Sequence, residues 1–483
     1  MSTAILWIIF PGIVSGVLLI FYKRKNLVFI VGTFVAILLA ILAWRIPIGE
    51  SINFASISFS IQDSLSILGR RLVLDNNDRS ALLLIYLGLA FWFTGAWVAR
   101  TSLLFVPLGL AIAGLLTAAL AVEPFLYAAL IIESVVLVSM PLLSSPGFQR
   151  GRGVVRYLTF QTLGFPFVLF TGWLLTGVDT NTADTSLIFF SFVLLGLGFW
   201  LLLGVFPFHT WIPMISEESH PYSVAYLLYE LPVAISLFGL GFLERYAWMR
   251  DATGLFSILE IAGVIMIVVG GVIAAFQRHL GRMLGYAVMV EIGLSLLAVR
   301  AGLDPAGSGE LFGAFYAILL PRALSLGVWA LSLVVMIRIL YRTNETQDAV
   351  TSQGLLFRNV KGLARQAPIA SIGLLLAQFS LAGFPILIGF PVRLAIWQEV
   401  AQNSMISGGL VLLGYAGLIV GGLRTMAVLV MGEDESPWEI RETRSEILFL
   451  LAGSIAIIAI GMFPQWFTPA LAQMSESFLQ SIP

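Results

Sequence analysis

Long apolar runs recur along the whole chain, and polar residues collect in short connections between them. Each run has roughly 18–25 residues, enough to cross a hydrocarbon core of about 30 Å as a helix. The runs are apolar on all sides, whereas the strands of a transmembrane barrel would alternate polar and apolar residues. The pattern therefore predicts an all-α integral membrane protein. About fourteen transmembrane helices are expected, near residues 4–22, 27–44, 81–98, 102–121, 124–143, 155–177, 185–206, 221–243, 254–276, 280–299, 311–337, 368–391, 406–430 and 446–464.

Some of these spans are expected to be interrupted. One break is predicted near 202–221, and another near 311–337 or 368–400. The run 311–337 is long for one span and has Pro321 and Arg322 at its centre, which favours a helix broken inside the protein. Broken helices at mid-membrane commonly line a polar path.

The connections predict the orientation and the domain organisation. Loops after odd-numbered spans carry seventeen Lys and Arg, against eight on the other side, so both termini are expected outside the cytoplasm. Residues 1–483 are expected to form a single polytopic membrane domain, with a long outer loop at 45–80 and a cytoplasmic loop at 343–366. The alternating run INFASISFSI in the outer loop predicts a short hairpin. The acidic stretch at 432–446 is expected to be a solvated loop.

Composition excludes several classes of function. Hydrophobic residues make up 59% of the chain and charged residues 11%, so lipid must solvate it. Cysteine is absent, which excludes disulfides, iron–sulfur ligation and thiolate zinc sites. Three histidines make a metal site a poor prediction, and a net charge of −1 gives no reason to expect nucleic acid. No cofactor is expected, and the lipid bilayer is the first partner.

A few ionisable residues lie within or beside the apolar runs. Each charge at mid-membrane costs about 2.5–3.5 kcal/mol on insertion scales and therefore needs a reason. These residues are Glu133, Glu230, Glu291 and Arg322 within spans, Glu260 and Arg393 nearer span ends, and His209 just after the seventh span.

Two readings of these groups stay open. The glutamates and His209 could form a chain of protonatable sites and water-lined cavities, with the arginines pairing with them. Alternatively, each carboxyl group is a neutral acid or an ion-pair lock between helices. Either way, Glu133 and Glu230 are expected to face the bundle interior. Arg322 is expected to pair with a carboxylate, Glu291 first, or with carbonyls freed near Pro321.

Two longer motifs resemble those of a known family. GVFPFHTWIPMISEESHP at 204–221 is similar to a PFH-x-W-x-P loop, and SLAGFPILIGFPVRLAIW at 380–397 is similar to the signature of a broken twelfth helix. Both resemble the antiporter-like, proton-translocating membrane subunits of respiratory complex I and of Mrp-type antiporters. IIESVV at 131–136, Arg156-Tyr157 and RMLGYAVMVEIG at 282–293 match more weakly. The resemblance covers about 125–400 and implies fourteen spans, both termini outside, and an N-type or M-type subunit.

The chain departs from this family in its lysines. The resemblance implies a row of buried lysines, one of them paired with the glutamate that Glu133 matches. Here those positions fall on Leu202, near Ser236 or Leu237, near Ser325 and on Arg393, and Glu291 stands where the family often has a histidine. The three lysines of the chain, Lys23, Lys25 and Lys361, all lie in loops. Arginine does not release its proton, so Arg322 and Arg393 can only fix the charge of their neighbours.

The resemblance implies a membrane-arm subunit of a complex I-like, redox-driven ion pump that contributes a retained or altered proton path. The chain itself would be a non-redox subunit of an NADH:quinone oxidoreductase-like translocase. Implied partners are other membrane-arm subunits, a peripheral redox module, and protons or sodium ions, in a bacterial or archaeal inner membrane. The alternatives are a degenerate, non-pumping scaffold subunit of such a complex and an independent secondary ion transporter.

Overall fold

Helices form nearly all of the regular structure. The computed structural model describes residues 2–48, 51–54, 57–60, 62–67, 69–76, 78–144, 151–178, 185–246, 253–302, 312–343, 352–431 and 438–466. A π-helical turn, Ile5–Ile9, leads into the first of sixteen α-helices in this part of the chain. They are α1 Phe10–Ile20, α2 Lys25–Arg45, α3 Arg79–Ala96, α4 Phe105–Ala121, α5 Leu126–Leu143, α6 Arg152–Val178, α7 Thr185–Leu202, α8 Trp211–Glu218, α9 Pro221–Arg245, α10 Thr253–Phe276, α11 Leu280–Gly302, α12 Phe312–Thr343, α13 Pro368–Leu381, α14 Phe390–Asn403, α15 Met405–Val430 and α16 Arg444–Met462.

The helices coincide with the predicted spans. Ten of the described helices are long and apolar enough to cross a membrane, and four further apolar helices are shorter. The chain is therefore an integral membrane protein with an all-α membrane region, as the sequence predicts. The figure of fourteen spans stays a prediction.

Two small sheets lie in and beside the connection between α2 and α3. β1 (Ser51–Phe54) and β2 (Ile57–Ser60) pair antiparallel, which confirms the predicted hairpin. β3 (Ser64–Ile67), β4 (Arg70–Val73) and β5 (Val122–Glu123) form a second antiparallel sheet. Because β5 directly precedes α5, this sheet ties the connection to the helical bundle.

The predicted helix breaks are confirmed at two places and wrong at one. Between α7 and α9 the chain passes through a loop and the short helix α8, as expected for 202–221. A second break separates α13 from α14, within the alternative range 368–400. Helix α12, however, runs unbroken through Pro321. A proline removes one backbone donor, and surrounding helices in a membrane protein can stabilise a helix that contains it.

Glycines bring three helices into backbone contact. A Cβ atom at Gly271 of α10 would lie 1.9 Å from the carbonyl oxygen of Gly414 in α15. A Cβ atom at Gly263 of α10 would lie 2.9 Å from the carbonyl oxygen of Gly293 in α11. Small residues at helix interfaces permit this approach, which is typical of membrane bundles. Helix α10 is therefore packed tightly between α11 and α15.

The described part of the acidic stretch before α16 is a loop, as expected, and is exposed at Trp438 and Ile440, but the side chains of Glu442 and Glu446 are buried. The Glu442 carboxylate accepts hydrogen bonds from the backbone N–H of Ala370 at 2.6 Å and of Ile369 at 3.3 Å, at the start of α13. Arg338 of α12 donates to the carboxylate of Glu446 at 2.6 Å. The two glutamates join α12, α13 and α16 because helix N-termini and arginines both attract carboxylates. Residues 432–437 of this stretch lie outside the described residues.

The imidazole of His220 stands at the start of α9 and gives the fold a pH dependence. Burial lowers the pKa of His220 to about 4, against a smaller opposing effect of a hydrogen bond to the backbone of Ala99. An unfolded chain would protonate this histidine below about pH 6.5, whereas the folded chain keeps it neutral. His220 therefore costs stability progressively as the pH falls from about 6.5 towards 4.

We expect the purified protein to melt at a lower temperature at pH 5 than at pH 7.5, and His220→Asn to reduce that difference. Asparagine keeps a polar group that can cap the helix but does not titrate. The measurement is thermal unfolding in detergent across this pH range. An identical pH dependence in the wild type and the variant would contradict the assignment to His220.

Candidate functional site

Three charged side chains meet inside the bundle. Glu291 of α11 lies between Arg322 of α12 and Arg393 of α14, and we refer to these three residues as the ion triad. The Arg322 Nε donates to Glu291 Oε2 at 3.2 Å, and the Arg393 Nη2 donates to Glu291 Oε1. All three residues are at most 2% exposed. The predicted pairing of Arg322 with Glu291 is confirmed, and Arg393 pairs with the same carboxylate.

Further oxygen atoms complete the coordination of the two guanidinium groups. The Nη2 of Arg322 donates to the backbone carbonyl of Glu291 and to the hydroxyl of Ser295, both at 2.5 Å. The Nη1 of Arg393 donates to the carbonyl of Gly389 at 2.9 Å. Buried charges are tolerated when they are paired and hydrogen-bonded in this way. The triad carries two positive charges and one negative charge, so one excess positive charge lies among these three side chains.

The break between α13 and α14 positions the side chain of Arg393 next to Glu291. The connecting residues contain Gly383, whose φ is +70°, and Pro391 follows at the start of α14. The freed N–H of Ile388 donates to the carbonyl of Ile457 in α16 at 3.0 Å, so the broken segment is tied to a neighbouring helix. Interrupted helices leave backbone groups that can coordinate charges, and Gly389 provides such a carbonyl here.

A hydroxyl pair lies beside the triad on α12 and α13. Ser325, three residues after Arg322, lies near one of the positions where the family resemblance implies a lysine. Its hydroxyl donates to the hydroxyl of Ser380 at 2.8 Å, and both serines are fully buried. A short neutral hydrogen bond thus stands where a mobile positive charge was implied.

A second polar group, the four-residue cluster, lies about 13 Å further along α11 at 1.5 Å per residue. It consists of Arg300 of α11, Glu260 of α10, Glu399 of α14 and Ser407 of α15. The Arg300 guanidinium lies 3.6 Å from the carboxylate of Glu260 and 3.8 Å from that of Glu399. Ser407 donates to Glu260 at 2.7 Å. Glu260 was singled out from sequence; Arg300 and Glu399 were not, because charges in the last turn of a helix usually face water.

Glu230 of α9 is buried apart from both groups. It is 2% exposed, and neither carboxylate oxygen has a hydrogen-bond partner among the described residues. A Cβ atom at Gly88 of α3 would lie 3.4 Å from Glu230 Oε2, so the carboxyl group rests against a glycine of a neighbouring helix. The prediction that Glu230 faces the interior is confirmed. A buried carboxyl group without a partner is most stable when neutral.

Glu133 of α5 lies at the rim, and the expectation that it faces the interior holds only in part. The residue is half-buried, and its Oε1 accepts a hydrogen bond from the hydroxyl of Thr162 on α6 at 2.7 Å, where Thr162 is exposed. Leu202, at one of the positions where the family resemblance implies a lysine, is 2% exposed. Without that cation, Glu133 relies on a threonine hydroxyl at the contact between α5 and α6.

His209 lies in the break between α7 and α8. Its ring stacks on Phe206 with centroids 5.4 Å apart, and burial lowers the pKa of the imidazole. Among the described residues, neither His209 nor Glu133 nor Glu230 forms a hydrogen bond or ion pair with the triad. The structure therefore brings together Glu291, Arg322 and Arg393, places Glu260 in the four-residue cluster, and leaves the other three predicted residues at separate positions.

Residues 158–419, more than half of the chain, match the model of the family described as NADH:quinone oxidoreductase/Mrp antiporter, TM. The chain belongs to this family. The matched region contains the triad and the four-residue cluster, together with Glu230 and His209, whereas Glu133 precedes it. The family resemblance seen in the two sequence motifs is thus confirmed.

Curated relatives include NADH-quinone oxidoreductase subunit N of Azoarcus sp. (strain BH72), 27% identical over 328 residues, which are 65% of this chain and 62% of that protein. The subunit N of Thioalkalivibrio sulfidiphilus (strain HL-EbGR7) is 28% identical over 285 residues, 57% of this chain and 53% of that one. The match therefore spans between about half and three fifths of the length of these relatives.

Solved structures share the fold over the full length. A chain of respiratory complex I from Thermus thermophilus with bound NADH has a TM-score of 0.76 at 20% identity, and all of both chains is covered. A chain of the Mrp complex from Dietzia sp. DQ12-45-1b has a TM-score of 0.79 at 14% identity, with 99% of each chain covered. At these identities the likeness shows the fold alone.

Removing the shared carboxylate should strongly destabilise the bundle. We expect Glu291→Gln to cost about 3–5 kcal/mol, because both buried guanidinium groups lose their counterion. Glu439→Gln is the matched control, since Glu439 pairs with Arg441 at 2.7 Å but is 59% exposed. That exposed pair should contribute less than about 1 kcal/mol. Denaturation of both variants in detergent tests this, and equal losses would contradict the role given to Glu291.

The helix break can be tested separately at Gly389. A Cβ atom there would lie 2.1 Å from Arg393 Nη1 and 2.3 Å from the Ser380 carbonyl oxygen, so Gly389→Ala should displace the arginine and cost about 1–3 kcal/mol. Gly409→Ala in α15 is the control, because its Cβ would meet nothing within 4 Å. Melting temperatures in detergent distinguish the two, and an unaffected Gly389→Ala protein would refute the tight fit.

Proposed function

We propose that this chain is a membrane-arm subunit of a complex I-like, redox-driven ion pump and contributes an altered proton path. The observation that carries the proposal is the ion triad, buried at a helix break in a chain of this family. Charged groups kept at membrane depth mark ion pathways in membrane proteins. Relatives named as NADH-quinone oxidoreductase subunit N support the same assignment.

The proposed path uses carboxyl groups and water in place of lysines. Glu230, the four-residue cluster with Glu260, and the region of Glu291 would hold or pass protons, and Glu133 and His209 would lie at entrances. Arg322 and Arg393 would keep a fixed positive charge, because a guanidinium does not deprotonate in a protein. Protons would therefore move past the triad through its carboxylate and neighbouring hydroxyl groups, not through its arginines.

We further propose other membrane-arm subunits and a peripheral redox module as partners, since this chain has no cysteine ligands for an iron–sulfur cluster. The transported ion would be the proton, with sodium as the alternative. The membrane would be a bacterial or archaeal inner membrane, with both termini outside the cytoplasm, as the excess of basic residues in the opposite loops favours.

A second candidate is a scaffold subunit that does not pump. It is favoured by one specific observation, that both oxygens of Glu291 are held by guanidinium groups. A carboxylate fixed in this way locks α11, α12 and α14 together and has no free oxygen with which to exchange a proton. On this reading the triad is a structural clamp, and the chain transmits no ions.

Two carboxyl groups that form no ion pair in the described structure, Glu230 and Glu133, can be replaced by glutamine to distinguish the proton path from the scaffold. Glu230→Gln and Glu133→Gln keep the side-chain shape and remove the titrating proton, so the assembly should stay intact. Proton transfer through this subunit should slow by about 10²-fold or more if either group is required. The measurement is proton uptake coupled to quinone reduction in vesicles that contain the whole complex.

The control for this experiment is Glu439→Gln, an exposed pair with no proposed role in transport. A proton-to-electron ratio that is unchanged in both test variants, with the complex assembled, would reject the conducting path and leave the scaffold. A lowered ratio in either variant, with normal assembly and normal electron transfer, would reject the scaffold.

A further inference from the structure

An apolar cavity of about 330 Å³ lies between α7, α9, α10 and α11. Leucines of α7 and α10 and phenylalanines of α7 line it, and the buried residues Leu240 of α9 and Leu296 of α11 form what we call its back. Its size falls at the lower end of the range of small-molecule pockets in proteins, about 300–1,000 Å³. The cavity is thus large enough for an apolar chain, and it lies outside both polar groups described above.

The cavity opens sideways, at the level of the membrane. Val193 and Leu197 of α7 and Ile258 of α10 line it and are 38–40% exposed on the outer surface of the bundle. Helix α10 is a candidate membrane span and α7 is an apolar helix, and the carboxylate of Glu260 on α10 is turned towards Arg300 and Ser407. The opening between them therefore faces hydrocarbon.

Water is a poor occupant of this space. A buried water molecule needs two to four polar partners, and the lining offers the hydroxyl groups of Ser236 and Ser295. Ser295 already accepts from Arg322 at 2.5 Å and donates to the carbonyl of Glu291 at 3.1 Å. Its hydrogen-bonding capacity is turned towards the triad, so the cavity presents an almost wholly apolar surface.

We propose that the acyl chain of a membrane phospholipid occupies this cavity, entering between α7 and α10 and ending near Ser295. Burial of methylene groups against leucine and phenylalanine restores the packing contacts that an empty space would lose. The chain would also close the side of the ion triad that Ser295 faces, so that water reaches the triad only from other directions.

Photo-crosslinking tests the proposal in the intact protein. The full complex is reconstituted with a phosphatidylcholine that carries a diazirine in the middle of one acyl chain, and the crosslinked residues are mapped by mass spectrometry. We expect crosslinks at the back of the cavity, on Leu240 and Leu296, in addition to those on the outer surface. Crosslinks confined to the outer surface would overturn the proposal.

A cavity-filling variant gives the matched comparison. Gly196 lines the cavity, and a Cβ atom there would meet nothing within 4 Å, so Gly196→Phe can fill the space without a backbone clash. It should reduce the crosslinks on Leu240 and Leu296 by about tenfold, equivalent to about 1.4 kcal/mol of lost binding. Gly409→Phe, at an open position on α15, should leave them unchanged. Equal yields in the two variants would overturn the proposal.

A thiol probe distinguishes lipid from water and from quinone. The chain has no native cysteine, so Ser236→Cys introduces a single thiol that can be read in this subunit by peptide mass. The thiolate is the reactive form, and a lipid-filled apolar cavity keeps the thiol protonated, so we expect no reaction with a charged methanethiosulfonate reagent in the folded protein and full reaction after denaturation. Reaction with the charged reagent would indicate a water-filled cavity and overturn the proposal. Loss of the lipid crosslinks on addition of decylubiquinone would assign the cavity to quinone and also overturn it.

Discussion

A charge placed in hydrocarbon must find its counterion within the protein, and the centre of this bundle is organised around that requirement. Glu291 supplies one carboxylate to two guanidinium groups from two other helices. To bring Arg393 into reach, the chain has to break between α13 and α14, and the break in turn exposes a carbonyl that accepts from the same arginine. The helix interruption, the excess of positive charge and the neighbouring hydroxyl groups all follow from one buried electrostatic contact.

Periodicity and hydropathy were sufficient to predict the helices, because a segment with apolar side chains in lipid satisfies its polar backbone N–H and C=O groups most simply as a helix. The pairing of Glu291 with Arg322 was predictable too, since two opposite charges at mid-span on neighbouring helices have few other ways to be stabilised. Sequence could not show that α12 continues through Pro321, because tertiary packing decides whether a proline breaks a helix. The sequence also did not predict that Arg300 and Glu399 join a buried cluster, because their positions near helix ends are equally compatible with exposure to solvent.

Arginine and serine at or near positions where the family resemblance implies lysine limit what the site can do. A lysine buried in a protein can gain or lose its proton near neutral pH, whereas an arginine stays charged. Arg393 therefore carries a fixed positive charge, and the hydrogen bond between Ser325 and Ser380 beside it is neutral. Neither of these two sites can change its charge near neutral pH. Near neutral pH, a change of charge in the described part of this chain therefore has to occur on carboxyl groups or histidines. The electrostatic potential around the ion triad is thus set mainly by arginines, which do not titrate.

The glycine contacts of α10 have a mechanical consequence. Where Gly271 meets Gly414, the two backbones touch with no side chain between them, and where Gly263 meets Gly293, the side chain of Leu297 packs beside the backbone contact. If α10 slid or rotated against α11 or α15, atoms at these contacts would clash. We therefore expect these three helices to move together as one rigid body. Conformational change would then be concentrated at the two helix breaks, between α7 and α9 and between α13 and α14, where the non-helical backbone can act as a hinge.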